Sequence, residues 1–229
     1  ISTNIPLIKG FSVVGVRAGE YARRFPERGR AIREAVATLA AGHGVVVGDF
    51  LEVTSGWDLL HGRIVRAKAV STNDITFETI NTTSTSNYPA GSGTGSIRRI
   101  TAWTSITQVQ GVDTGGGDQN YADITSITDR TQKQVPTTRN AQTIDLTVFD
   151  DPSLTYYAAA VAAADASSTI GLRLVFPNGS RIVANSYISV QKMPTVAVNQ
   201  PLTARLSFSA YAEPVRYGLT RNIDTFDPL

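Results

Sequence analysis

The sequence predicts a mainly β chain with a small β-barrel between residues 45 and 100, and three observations carry that reading. Thr, Ser, Gly and Val abound, while charged residues make up only 17 % of the 229 positions, below the usual quarter of a globular domain. Gln142 to Phe149 and Leu202 to Tyr211 alternate apolar with polar side chains, which is the period of a strand with one buried face. Short apolar runs separated by turn residues succeed one another from Val45 to Ile100, at the spacing of a small barrel.

In chain order, residues 5 to 17 read as a strand on Phe11, Val13, Val14 and Val16. From Pro26 onward Ile32, Ala35, Val36 and Leu39 recur at helical spacing and Gly42 with Gly44 supplies a stop, so an amphipathic helix is expected over 27–41 with arginines on its polar face. The barrel strands follow at Val45 to Val47, Phe50 to Val53, Arg63 to Val70 and Ile75 to Ile80. A Thr, Ser and Gly tract, Asn81 to Ser96, then reads as a loop. A second β region opens at Trp103. Asp113, Asp118, Asp123 and Asp129, interleaved with Gly115, Gly116 and Gly117, read as an acidic, mobile loop. After the strand 142–149, Asp151 offers an N-cap and Pro152 a first helical position for a helix through Tyr156 to Ala164. Ile170 to Phe176 and Arg181 to Gln191 flank Pro177-Asn178-Gly179-Ser180, where Asn178 and Gly179 are both expected at positive φ in a two-residue turn. The resulting organisation is 1–44 (strand and amphipathic helix), 45–100 (small β-barrel) and 101–229 (a second β region).

Composition excludes more chemistry than it suggests. With no cysteine there are no disulfides, thiolate zinc sites or thiol nucleophiles, and only His43 and His61 offer imidazoles. His43, between two glycines at the expected helix end, reads as a cap. His61, beside Trp57 and Asp58, reads as exposed and has no second metal ligand nearby. Gly91 to Ser96 ends on Ser and precedes no helical pattern, which removes the dinucleotide fingerprint. No Gly-x-Ser-x-Gly elbow, calcium-loop spacing or phosphate-cradling Lys-Ser/Thr pair occurs. An enzyme, a metal centre and a bound cofactor are therefore not expected.

The net charge of +2 is unevenly placed. Residues 1–44 hold seven cations (Lys9, Arg17, Arg23, Arg24, Arg28, Arg30 and Arg33) against Glu20, Glu27 and Glu34, and the remainder is slightly acidic. Arginines on one helical face suit phosphates, but interleaved glutamates and few aromatics leave a solvated face or a protein interface as alternatives to nucleic acid. No apolar run approaches the roughly 20 residues of a membrane helix, and Ile1 to Gly10 lacks the features of an export signal, so a soluble chain is expected.

Read together, residues 101–216 resemble the major tail tube protein of long, non-contractile-tailed bacteriophages. The features are the strand Trp103-Thr104-Ser105-Ile106-Thr107-Gln108-Val109, the acidic Gly-containing loop, the alternating strand 142–149, the Asp-Pro helix rich in Ala, the Phe176-Pro177-Asn178-Gly179 hairpin, and Lys192-Met193-Pro194 leading to a last strand that ends near Arg216.

This resemblance implies a structural virion protein with one or two short helices, whose β-sandwich core, 101–229, is completed by strand 8–17, with the 45–100 barrel as an insertion. Hexameric rings of it would stack into a tail tube, the conduit for DNA delivered into the host. The implied partners are further copies of the chain, the tape-measure, tail terminator and distal tail proteins, and double-stranded DNA in transit without sequence-specific binding, with no membrane. Assembly is expected in the bacterial host cytoplasm. Candidate inter-ring or inter-subunit contacts are Arg23, Arg24, Arg28, Arg30 and Arg33 against Asp113, Asp118, Asp123 and Asp129. Two rival readings are a tail terminator or other connector ring, and a carbohydrate-binding β protein using Trp57, Tyr88 and Tyr121 as exposed aromatics.

Overall fold

A computed structural model describes residues 2–18 and 34–218, and the chain is mainly β with curled sheets and a single helix among those residues. Contacts divide it into two compact units. One takes residues up to Thr107, Ile170–Asn185 and the segment from Ala212; the other takes Gln108–Thr169 and Ser186–Tyr211.

In the first unit six strands close on themselves: β1 (Ser2–Ala18), β2 (Glu34–Leu39), β3 (Phe50–Ser55), β4 (Ile64–Ser71), β5 (Asp74–Asn81) and β6 (Gly95–Ile106). Hydrogen bonding runs β1-β2-β5-β4-β3-β6 and back to β1, so no strand edge is left in the ring. Closure depends on the length of β1, whose Val13–Ala18 end pairs with β2 while Thr3–Ser12 pairs with β6. Alternate residues of β2 to β6 point inward. Ala35, Ala37 and Leu39 of β2, Leu51 and Val53 of β3, Val65 and Ala67 of β4, Ile75 and Phe77 of β5 and Ile97 of β6 form one buried cluster. Trp57 and Tyr88, from loops at one end of the barrel, join that cluster edge to face with ring centroids 5.4 Å apart, and Trp57 Nε1 donates to the Pro89 carbonyl at 2.8 Å. They are core residues, which removes two of the three aromatics on which a carbohydrate-binding reading would rest.

The helix expected over 27–41 is corrected where the structure describes it. Residues 27–33 lie outside the described residues, and Glu34–Leu39 is a strand of the barrel. Alanine permits the confusion. Ala35 and Leu39 fit a helical period, Ala35, Ala37 and Leu39 fit a strand period, and long-range pairing with β1 and β5 decides between them. His43 consequently caps no helix. It is buried beyond the end of β2, where Nδ1 accepts from Val45 N–H and Nε2 lies 3.0 Å from the Thr72 carbonyl. Val46 and Val47, expected in a strand, form an exposed turn instead. At the other boundary β6 runs unbroken through residue 100, so the barrel and the strand carrying Trp103 are one element.

Three more strands complete this unit: β11 (Ile170–Val175), the first half of β12 (Arg181–Val190) and β14 (Val215–Tyr217). Val183, Val215 and Tyr217 pack with Phe50, Ile64 and Ile100, residues on the outer side of the barrel strands, giving a second buried layer. Between β11 and β12 the turn differs from the expected one. Gly179 has φ +78° and its N–H donates to the Phe176 carbonyl, but Asn178 is not at positive φ. Pro177 at the second turn position favours a type I turn followed by a left-handed glycine, and Asn178 Oδ1 accepts from Ser180 N–H and Oγ.

The second unit holds an antiparallel sheet of four strands in the order β12 (its Ser186–Val190 half), β13 (Thr203–Ala210), β10 (Thr143–Phe149), β7 (Val109–Gly115). Leu146, Val148, Ile188, Ala204, Leu206 and Phe208 occupy its buried positions, as the alternation predicts. Helix α1 (Thr155–Asp165) contributes buried Tyr156 and Ala160. It starts later than expected: Leu154 is the cap, without a side-chain bond, and Asp151 instead accepts from Ser153 N–H and Oγ in the preceding turn. The expected mobile loop is also corrected. Asp113 lies within β7, and the remainder forms a two-stranded hairpin of β8 (Gln119–Asp123) and β9 (Gln134–Arg139).

Candidate assembly surface

The second face of the four-stranded sheet is polar. Thr143, Asp145 and Thr147 of β10 stand opposite Ser209, Ser207 and Arg205 of β13, and Tyr187 and Ser189 of β12 continue the rows. On the other side Gly115, Asp113 and Gly111 of β7 face the same three residues of β10. Arg205 forms an ion pair with Asp145, and that bond, with a second from Ser207, holds the Asp145 carboxyl below its ordinary range. Hydrogen bonding to Asp145 raises the Arg205 guanidinium in turn, and the charge of Asp113 adds to it. The face thus carries Arg205 paired with Asp145, with the charge of Asp113 nearby, set among hydroxyls. At its β12 end Tyr187 and Tyr211 meet edge to face, 5.8 Å apart, each a little under half exposed.

The hairpin is the other exposed feature of this unit. All of β9 and all but one residue of β8 are exposed, so the ladder is stabilised by backbone bonds and side-chain clamps rather than by a core. Asp123 accepts from Thr125 Oγ1 and N–H and from Gln132, and those bonds lower its carboxyl. Asp129 is lowered by Lys133 first and by Ser126 N–H second. Tyr121, Ile124, Ile127 and Val135 project apolar surface from the same hairpin, with Ile127 fully exposed.

Of the residues singled out in the sequence, Asp113 sits on the sheet, Asp118 just before β8, and Asp123 and Asp129 in the hairpin turn, so two of the four carboxylates already have partners in their own hairpin. Arg23, Arg24, Arg28, Arg30 and Arg33 lie outside the described residues. Sequence reasoning missed Tyr187, Tyr211 and the glycines of β7. Their signal is positional, since Tyr187 falls on the polar phase of an alternating strand.

A β-rich chain with one two-faced sheet and an exposed hairpin admits several structural roles, and comparison with known families selects one. The family described as phage tail tube protein, TTP, matches residues 55–218, well over half of the chain. The chain belongs to the phage tail tube protein family. The match runs from the end of β3 to the residue after β14, so three of the six barrel strands, β4 to β6, and the whole four-stranded sheet lie within it. No curated protein matches the chain. Family membership makes it a structural component of the virion tail, and the mainly β architecture agrees with that assignment.

Proposed function

We propose that this tail tube protein assembles into hexameric rings that stack into the tube through which phage DNA passes into the host. The observation that carries the reading is the four-stranded sheet, buried on one side and lined with Ser, Thr and one neutralised arginine on the other. A tube lumen needs a wettable wall. It must also not retain DNA, and retention would require uncompensated Lys or Arg to displace counterions from phosphates. Arg205 is committed to Asp145, and Asp113 adds negative charge beside it.

In this reading 101–229, completed by strand 8–17, supplies the tube wall, and 45–100 is an added barrel closed by β1 and β2. The hairpin of β8 and β9 reaches the neighbouring ring. There Tyr121, Ile124 and Ile127 supply buried area, and Asp118 meets the Arg23–Arg33 cluster. Assembly takes place in the host cytoplasm with the tape-measure, terminator and distal tail proteins as partners, and the tube acts without a cofactor or catalysis.

Electron microscopy of the purified protein tests the proposal. Hollow rods are expected. Isolated rings that never stack would indicate a terminator, and monomers at all concentrations a binding module. In rods, Asp118→Asn should shorten the tubes and flatten their salt dependence, since exposed ion pairs are screened over about 8 Å at physiological salt.

A further inference from the structure

Asn178 is the one asparagine in the sequence that is followed by glycine. It stands exposed in the β11–β12 turn, where its side-chain oxygen accepts twice from Ser180, from the backbone N–H at 3.0 Å and from Oγ at 2.7 Å. We propose that this turn is a site of spontaneous covalent modification, in which Asn178 converts to aspartate and isoaspartate through a cyclic imide and the two donors of Ser180 speed the ring closure. The inference stands apart from the tube reading.

The chemistry needs only water. Gly179 N–H gives its proton to hydroxide, and the nitrogen attacks Asn178 Cγ. As the new N–Cγ bond forms, negative charge collects on Oδ1; the Cγ–Nδ2 bond then breaks, Nδ2 takes a proton from water, and ammonia leaves. Water opens the imide on either side. Cleavage of the new N–Cγ bond gives aspartate, and cleavage of the original peptide bond gives isoaspartate, whose main chain runs through the former side chain. One water enters, one ammonia leaves, and nothing is oxidised or reduced.

Three features of the turn favour closure. A Cβ on the residue after asparagine shields the attacking nitrogen, and Gly179, at φ +78°, has none. The bond from Ser180 N–H to Oδ1 closes a ring of atoms that includes both Cγ and the Gly179 nitrogen, so the carboxamide is folded back along the peptide it reacts with. Donors already aimed at an oxygen where charge develops act as an oxyanion hole, and here there are two. One contact works against these. Gly179 N–H donates to the Phe176 carbonyl at 2.9 Å, and that bonded proton must leave first, which makes the reaction slow and faster as pH rises.

Asn81 supplies a comparison within the molecule. Its Oδ1 accepts from Thr83 N–H at 2.9 Å and from Thr83 Oγ1 at 2.6 Å, the same pair of donors, but the residue between is Thr82, β-branched and buried. Donors without access to the nitrogen should not suffice. At Asn178 the product is a carboxylate in a turn that has none, two residues from Phe176, over whose ring the Arg216 guanidinium lies at 5.8 Å. Aspartate keeps an acceptor for Ser180, whereas isoaspartate adds a carbon to the main chain between β11 and β12.

The test holds the folded, unaltered protein at mildly alkaline pH and follows ammonia release, the mass of each asparagine-containing peptide and labelling by an isoaspartyl methyltransferase. Asn178 should convert before every other asparagine, faster as pH rises, and Asn81 should stay intact. In the folded protein Ser180→Ala should slow conversion at Asn178 about three- to tenfold, the worth of one hydrogen bond in the transition state, and Ser180→Thr should restore the parent rate. In urea, where the turn is gone, the three proteins should convert at one rate. A folded Ser180→Ala variant that converts as fast as the parent, or faster, overturns the part given to Ser180, and so does a difference that persists in urea. An Asn178 that remains an amide, or an Asn81 that converts as fast, overturns the site itself.

Discussion

The guanidinium of Arg66 lies 4.7 Å above the ring of Tyr217, and the Tyr217 hydroxyl accepts the backbone N–H of Arg66 at 2.8 Å. These residues are 151 positions apart, and between them they fix the three-residue strand β14 to the barrel. Arg66 is held in turn by Glu78 through two bonds of 2.5 and 2.6 Å.

Burial pushes the Tyr217 hydroxyl up to about 12 from 10.0. A group whose folded value is raised stabilises fully below the unfolded value and loses that contribution as pH climbs through the folded one. Stability should therefore fall between about pH 10 and 12 by roughly 2 to 3 kcal/mol from this residue. The check is urea denaturation across that range with Tyr217→Phe as reference. That variant should be weaker at pH 7 by about 1 to 2 kcal/mol, because Arg66 N–H loses its acceptor, and should show a shallower alkaline decline.

Asn185 donates to Glu52 Oε1 at 3.0 Å and to the Gly62 carbonyl at 2.9 Å, and both side chains are buried. Arg98 holds the other Glu52 oxygen. Replacing Asn185 with Ala strips a donor from a buried carboxylate, for an expected loss of about 2 to 4 kcal/mol at pH 7 by chemical denaturation. Asn185→Asp should be worse, since a second carboxylate would face the first.

In the β11–β12 turn only Gly179 occupies the left-handed region. Gly179→Val should lower stability by about 1 to 3 kcal/mol through backbone strain. Asn178→Ala should cost only about 1 kcal/mol, the loss of its bonds to Ser180. Equal thermal shifts in the two variants would contradict the turn assignment.

Tyr156 is 1 % exposed and its hydroxyl has no hydrogen-bond partner among the described residues. Removing the hydroxyl leaves the ring's packing intact, so Tyr156→Phe should be neutral or stabilising by up to about 1 kcal/mol, read as an unchanged or higher melting temperature.

Local pattern by itself determined the strands with one wet and one dry face. Thr143–Phe149 and Thr203–Ala210 lie within a residue of where alternation places them, because the side-chain period of a strand is fixed by its pleat. The ordered motifs of residues 101–216 likewise carried the family likeness, and composition alone pointed to a mainly β chain. Tertiary structure decided the rest wherever local signals balance. Ala35, Ala37 and Leu39 suit a helix or a strand until β1 and β5 pair with them, and closure of the barrel depends on β1–β6 pairs whose residues lie more than about 80 positions apart in sequence. The positions and partners of the aspartates follow from geometry that composition does not encode: Asp123 and Asp129 clamp their own hairpin turn, whereas Asp113 falls within β7. A carboxylate's charge is written in the sequence, but its partner is chosen by which backbone comes within about 3 Å, and that is a property of the folded chain.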